Sequence, residues 1–113
     1  RQPMSTSLPS AKPIDSRITR VGVRPVLLSS DLADLLGVPL DALRRIVDAN
    51  QDHFPGELCF TPELADFSTY LRNPRCEVFT EPGAWMVAAL LGTSSARMLM
   101  IEISRAFERY RRK

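Results

Sequence analysis

Apolar residues fall along this chain in blocks that change period, and each change predicts a new element. "RITRVGVRPVLL", residues 17 to 28, is rich in β-branched residues around Gly22, which predicts two short strands joined by a tight turn with Pro25 at an edge. From Ser29 the period lengthens. A helix is predicted from a cap at Ser29 or Ser30 to Leu36, with Asp31 and Asp34 in its early turns and Gly37 ending it. A second helix is predicted from Pro39 through "LDALRRIVDANQDHF" until Pro55 and Gly56 stop it. "ELCFT" and "CEVFT" read as short strands that pair with each other, and the polar "PELADFSTYLRNPR" between them reads as a loop. "AWMVAALLG", opened by Glu81-Pro82-Gly83 and closed by Gly92, is apolar on every side, which predicts a helix buried all round. The last helix, "ARMLMIEISRAFERYRRK", follows a cap at Thr93, Ser94 or Ser95 and gathers Leu99, Ile103, Ala106, Phe107 and Tyr110 on one face.

The resulting class is α+β: a small, mostly helical domain with a helix-turn-helix-like pair, short β-hairpins and two C-terminal helices. Residues 1 to 16 hold three prolines and four serines with few large apolar side chains, so they read as a flexible tail. Residues 17 to 113 read as one domain, since 113 residues that are 44% hydrophobic suit a single core. The closing "RYRRK" reads as a helix stopped in mid-course, as in a piece of a longer protein.

The stretch "SSDLADLLGVPLDALRRIV", residues 29 to 47, meets the demands of two helices crossing over a short turn. Ala33 is the small residue at the crossing, Gly37 eases the step out of the first helix, and Leu32, Leu36, Val38, Leu43 and Ile46 fill the seam. If the second helix enters a major groove, Arg44 and Arg45 become its candidate base-edge or phosphate contacts, because a guanidinium donates two parallel hydrogen bonds to guanine or phosphate. Charge opposes this use. Residues 31 to 66 carry Asp31, Asp34, Asp41, Asp48, Asp52, Glu57, Glu63 and Asp66 against Arg44 and Arg45 alone, a local balance of −6. Asp41 and Asp48 also stand four residues from Arg45 and Arg44 as helical ion-pair partners.

Positive charge collects elsewhere, although the formal net charge is only +2. Arg105, Arg109 and Arg112 form a stripe on the last helix, and Arg17, Arg20 and Arg24 alternate along the first strand pair so as to project from one face. These six are candidate phosphate-backbone contacts; if the strands neighbour the last helix, the two groups make one basic surface. Trp85, Met98 and Met100 are candidates for a homodimer interface. Catalysis is not expected: the one histidine, His53, has no nucleophile arranged beside it, and the five glycines stand singly rather than in a phosphate-binding loop. Cys59, Cys76 and His53 have no metal-ligand spacing, so no metal or other cofactor is expected and the cysteines read as buried free thiols. With no membrane-length apolar run and no signal peptide, the chain reads as cytoplasmic in a bacterial host, at the nucleoid if it binds DNA.

Five separated pieces, "VRPVLLSSDLADLLGV", "ANQDHFP", "LCFTPEL", "VFTEPGAWMVAALL" and "IEISRAF", stand in the order and spacing of a known family. They resemble the N-terminal domains of phage and prophage regulators of the "open reading frame six" type, grouped with KilA-N and Bro-N. The most specific are Phe79, Thr80, Glu81 and Gly83, with Asp31-Leu32-Ala33 and Phe54-Pro55. The resemblance implies a DNA-binding domain of a phage- or prophage-type transcriptional regulator or antirepressor, with double-stranded DNA as partner. This chain departs from the family pattern in having Val47, Asp48 and Ala49 before Asn50 where basic residues are usual, a shortened loop with Arg72 and Arg75, and Pro82 in place of the usual glutamine. The alternative reading is a protein-interaction module whose acidic helical pair engages a repressor or host factor without binding DNA.

Overall fold

The computed structural model describes residues 13–61 and 77–112. Ile14–Arg17 form a short helix α1, and Ile18–Val21 (β1) turns back into Arg24–Leu28 (β2). Two helices follow, Ser29–Leu36 (α2) and Leu40–Ala49 (α3), then a 3-10 turn at Gln51–His53. Cys59–Phe60 (β3) and Val78–Phe79 (β4) complete the sheet, and Glu81–Leu91 (α4) and Ser94–Arg111 (α5) close the fold. The four strands run antiparallel in the order β1-β2-β4-β3. The architecture is α+β and mostly helical, as the hydrophobic pattern predicted.

Opposite residues of an antiparallel pair share a face, so the register fixes the core. Ile18 stands opposite Leu27, Leu27 opposite Phe79, and Phe79 opposite Cys59. All four are buried in one cluster with Leu32, Leu43, Val87, Ile103 and Phe107 from the helices. The β4 pairing begins only at Leu27, so Pro25 sits where β2 has β1 as its one paired neighbour and its missing N–H costs no ladder bond there.

The step from α2 to α3 is set by Gly37. Its φ of 73° is left-handed, and the Gly37 N–H donates to the Asp34 carbonyl while the Val38 N–H donates to that of Ala33. This is the Schellman pattern, and it lets the chain reverse in three residues before α3 starts. The expected cap at Ser29 or Ser30 is replaced by Leu28; Ser29 is the first helical residue, and its N–H donates to the Glu77 carbonyl at 2.8 Å. The α3 helix stops earlier than its sequence pattern predicted, because Asn50 turns its amide back to the Ile46 carbonyl at 2.8 Å and leaves helical geometry. Phe54 then packs edge-on against Phe79, with ring centroids 6.2 Å apart.

The junction from β4 into α4 is a close one. Thr80 caps α4: its Oγ1 accepts from the Gly83 N–H at 3.3 Å and donates to the Glu57 carbonyl at 2.7 Å, while its own N–H donates to Leu58. Gly83 lies directly on Leu58; a Cβ there would overlap the Leu58 carbonyl oxygen and stand 2.8 Å from its carbon. Pro82 occupies the first turn of α4, where a missing N–H is harmless.

Three expectations are corrected. The tail boundary at residue 16 falls inside α1, whose Ile14 packs on the core; residues 1–12 lie outside the described residues. The α4 helix is not buried all round, since Trp85, Pro82 and Ala89 are exposed while Gly83, Ala84, Val87 and Ala88 face inward. Cys59 is no free thiol: it is disulfide-bonded as well as buried. The loop expected over 62 to 75, with Arg72, Arg75 and Cys76, lies outside the described residues.

Replacing Gly83 by alanine forces the Leu58 backbone away from α4. The expected loss is about 3 kcal/mol of unfolding free energy in urea, at the upper end of overpacking effects. Thr80→Ala loses only the cap and its partner bonds, about 1 kcal/mol.

Candidate nucleic-acid interface

Burial divides the candidate arginines. Arg17 is no surface cation: at 5% side-chain exposure it lies between α1 and α2, bonded to Asp31 at 3.0 Å and Asp34 at 2.8 Å. Two aspartates that the sequence placed at the positive end of α2 thus also hold α1 in place. Arg44 is corrected in the same way. It turns inward, with Nη2 3.6 Å from the carboxylate of buried Glu77, whose other oxygen accepts from the Ser29 hydroxyl at 3.4 Å. Glu77 precedes β4 and gave no sequence signal, because its role appears only when β4 lies beside β2. The pair joins α3 to the sheet and removes Arg44 from the groove-facing set.

Arg45 remains exposed on α3, between the exposed Asp41 and Asp48. It pairs with no carboxylate among the described residues. On its outward face α3 therefore sets a single arginine between two anions.

The hairpin arginines separate as well. Arg20 stands opposite Pro25 and Arg24 opposite Val21, so the two project from opposite faces rather than from one. Arg24 lies over the Phe60 ring, 5.3 Å from its centroid, a cation-π contact worth about 0.5–1 kcal/mol at an exposed site. Arg20 is exposed and has no carboxylate partner among the described residues.

On α5 the stripe is present, but its charges are paired. Arg105 meets Glu102 at 3.3 Å, Arg112 meets Glu108 at 3.0 Å, and Arg109 takes both oxygens of Asp15 at 2.7 and 2.8 Å. The hydrogen bonds that Arg109 donates to Asp15 raise its pKa above its ordinary value. Arg111, not selected from the sequence, binds Glu81 at 2.9 Å. All four arginines are exposed, and exposed pairs of this kind contribute about 0–1 kcal/mol, so a phosphate can displace their carboxylates at little cost.

The strands do neighbour the last helix. Both β1 and β2 touch α5, and α1 packs along it. Arg24 and Pro25 from β2, Phe107 and Arg111 from α5, and Glu57, Thr80, Glu81 and Pro82 line one groove of about 430 Å³. Arg20 shares its face with Pro25, and so sits at the same end of the molecule. Arg24 of the hairpin and Arg111 of α5 therefore share one groove, with Glu57 and Glu81 among its lining residues.

Of the dimer candidates, Trp85 and Met98 are exposed. Met100 is corrected: it is fully buried in the core and offers no surface. Ile101, exposed beside Met98 on α5, was not among the sequence candidates. His53 is exposed on the 3-10 turn.

The described residues form a small α+β domain with a two-helix unit, an arginine-bearing hairpin and a C-terminal helix that carries Arg97, Arg105, Arg109 and Arg111. The ORF6N domain matches residues 16–90, and the chain belongs to that family, which makes it a phage-type regulatory domain. Neither a curated protein nor a solved structure matches it. The family match ends before α5, yet Met100, Ile103, Ala106 and Phe107 of α5 complete the core. Among the described residues no helix is long and apolar enough to cross a membrane.

Arg17→Ala leaves Asp31 and Asp34 facing each other across a void. The expected loss is about 2 kcal/mol in urea unfolding, less than the ~3–5 kcal/mol of a fully buried pair because both aspartates reach water. Arg20→Ala serves as the comparison, with a change within about 0.5 kcal/mol, as for a surface site away from the fold's paired groups.

Proposed function

We propose that this domain binds double-stranded DNA as part of a phage- or prophage-type transcriptional regulator or antirepressor, through the end of the molecule where the β1–β2 hairpin meets the C-terminal half of α5. The observation that carries this reading is that Arg24 of the hairpin and Arg111 of α5 line one groove, with Arg20 of the same hairpin free of any carboxylate among the described residues. Arg20 and Arg24 project on either side of a narrow two-stranded arm, a shape that fits a groove and reaches the phosphates on both of its walls. Arg105, Arg109 and Arg112 extend the interaction along the backbone by exchanging exposed carboxylate partners for phosphate. Arg45 adds at most one phosphate, since Asp41 and Asp48 flank it. Arg17 and Arg44 act through the fold, holding α1 and α3 in place.

The same flanking aspartates favour a second reading, in which the outer face of α2 and α3 docks on a basic protein surface such as that of a phage or host regulator. Asp34, Asp41, Asp48 and Asp52 are all exposed there.

Anisotropy of a fluorescent random-sequence duplex, titrated between about 50 and 200 mM salt, separates the two readings. Binding is expected to fall steeply with salt. Arg20→Glu with Arg24→Glu is expected to weaken it at least tenfold and to reduce the magnitude of the log–log salt slope by about two, one for each arginine withdrawn from phosphate. An absence of binding at the lowest salt, from a protein with native circular dichroism, overturns the DNA reading and leaves the acidic face as the binding surface.

A further inference from the structure

One exposed surface, on α4 and α5, is apolar. Trp85 is 41% exposed, Met98 67% and Ile101 45%. The Trp85 indole N–H donates to Ser104 of α5 at 2.7 Å, which ties the exposed sides of α4 and α5 into one surface. Pro82, Met86 and Ala89 extend it along α4 and line a shallow apolar depression of about 520 Å³. Large apolar side chains gathered and rimmed by charge in this way mark an interface.

The charges at its rim identify the occupant. At about 100° per residue, Met98 and Ile101 share the outward face of α5, with Arg97 about 40° outside them on one flank and Glu102 about 40° outside on the other. Arg97 is exposed and has no carboxylate partner among the described residues, while Glu102 holds only the exposed Arg105. Arg97 and Glu102 are five positions apart. That is the offset at which flanking charges meet across two parallel helices packed on an apolar seam. The surface is therefore complementary to itself under a two-fold axis parallel to α5, as an isologous contact requires.

We infer that this face is the interface of a homodimer, in which Met98 and Ile101 pack on their counterparts in a second copy and Arg97 of each chain pairs with Glu102 of the other. The seam is short. Arg105 follows on the same face, so the helices cross at Met98 and Ile101 and diverge beyond, and the dimer is weak and concentration-dependent. A parallel two-fold places both hairpins at the same end of the dimer, since each packs beside the C-terminal half of its own α5. The inference stands on the apolar surface and its charges, independently of DNA binding.

Sedimentation velocity of the full chain without DNA, over a wide concentration series, tests it. The mass is expected to rise from 12.7 kDa towards twice that value with concentration. Ile101→Glu, checked for native circular dichroism, is expected to remain a monomer. Arg97→Glu and Glu102→Arg are each expected to weaken the dimer roughly tenfold, because the symmetry replaces two attractive pairs by two repulsive ones. The double exchange, Arg97→Glu with Glu102→Arg, is expected to restore it. A wild-type chain that stays monomeric throughout overturns the inference, as does a dimer indifferent to Ile101→Glu or a double exchange that does not recover.

Discussion

The fold turns on the contact between Gly83 and the Leu58 carbonyl. No side chain fits between them, so the first turn of α4 rests directly on the backbone leading into β3. Thr80 holds this approach from the other side, capping α4 with an oxygen that also donates to the backbone of the same segment. Once that joint is closed, Phe79 is fixed opposite both Leu27 and Cys59, Phe54 has a ring to pack against, and the axis of α4 is set against α5. The sheet, the helix pair and the α4–α5 hairpin all lean on one short backbone approach.

This gives a physical meaning to the most recognisable residues of the chain. Phe79, Thr80 and Gly83 are core, cap and point of closest approach, and Phe54 is a core ring. Glu81 reaches the surface, where it holds Arg111. What identifies the family is therefore the joint that makes the fold. The features that would read a partner, the hairpin arginines and the end of α5, are surface chemistry carried on that frame, and α5 lies outside the family match.

Much of the architecture was legible because local signals agreed with tertiary demands. Gly37 between two amphipathic stretches, the β-branched run around Gly22, and the pairing of "ELCFT" with "CEVFT" all rest on short-range stereochemistry, and the folded chain keeps each of them. The surface was less legible. Periodicity places a side chain on a face of its own element but does not say what lies opposite, so Arg17 and Arg44 read as exposed cations when Asp31, Asp34 and Glu77 take them inside. Asp15, ninety-four positions from Arg109 in sequence, had no local signal at all. The uniformly apolar α4 misled for the opposite reason: one face is buried within the domain while Pro82, Trp85 and Ala89 stand exposed on the other.

Electrostatics decides where a polyanion can approach. The α2–α3 unit is two helices joined by a short turn, and its outward cations reduce to Arg45 among aspartates, so phosphate is repelled there. Elsewhere, Arg109, Arg111 and Arg112 are held in exposed pairs, and Arg20 on the hairpin has no carboxylate partner among the described residues. The most direct measurement is an amide and arginine side-chain NMR titration of the isotopically labelled domain with a short DNA duplex. The account predicts shifts confined to residues 20 to 24 of the hairpin and to Arg105, Arg109, Arg111 and Arg112, with α3 unmoved. Shifts centred on Leu40–Ala49 would contradict it.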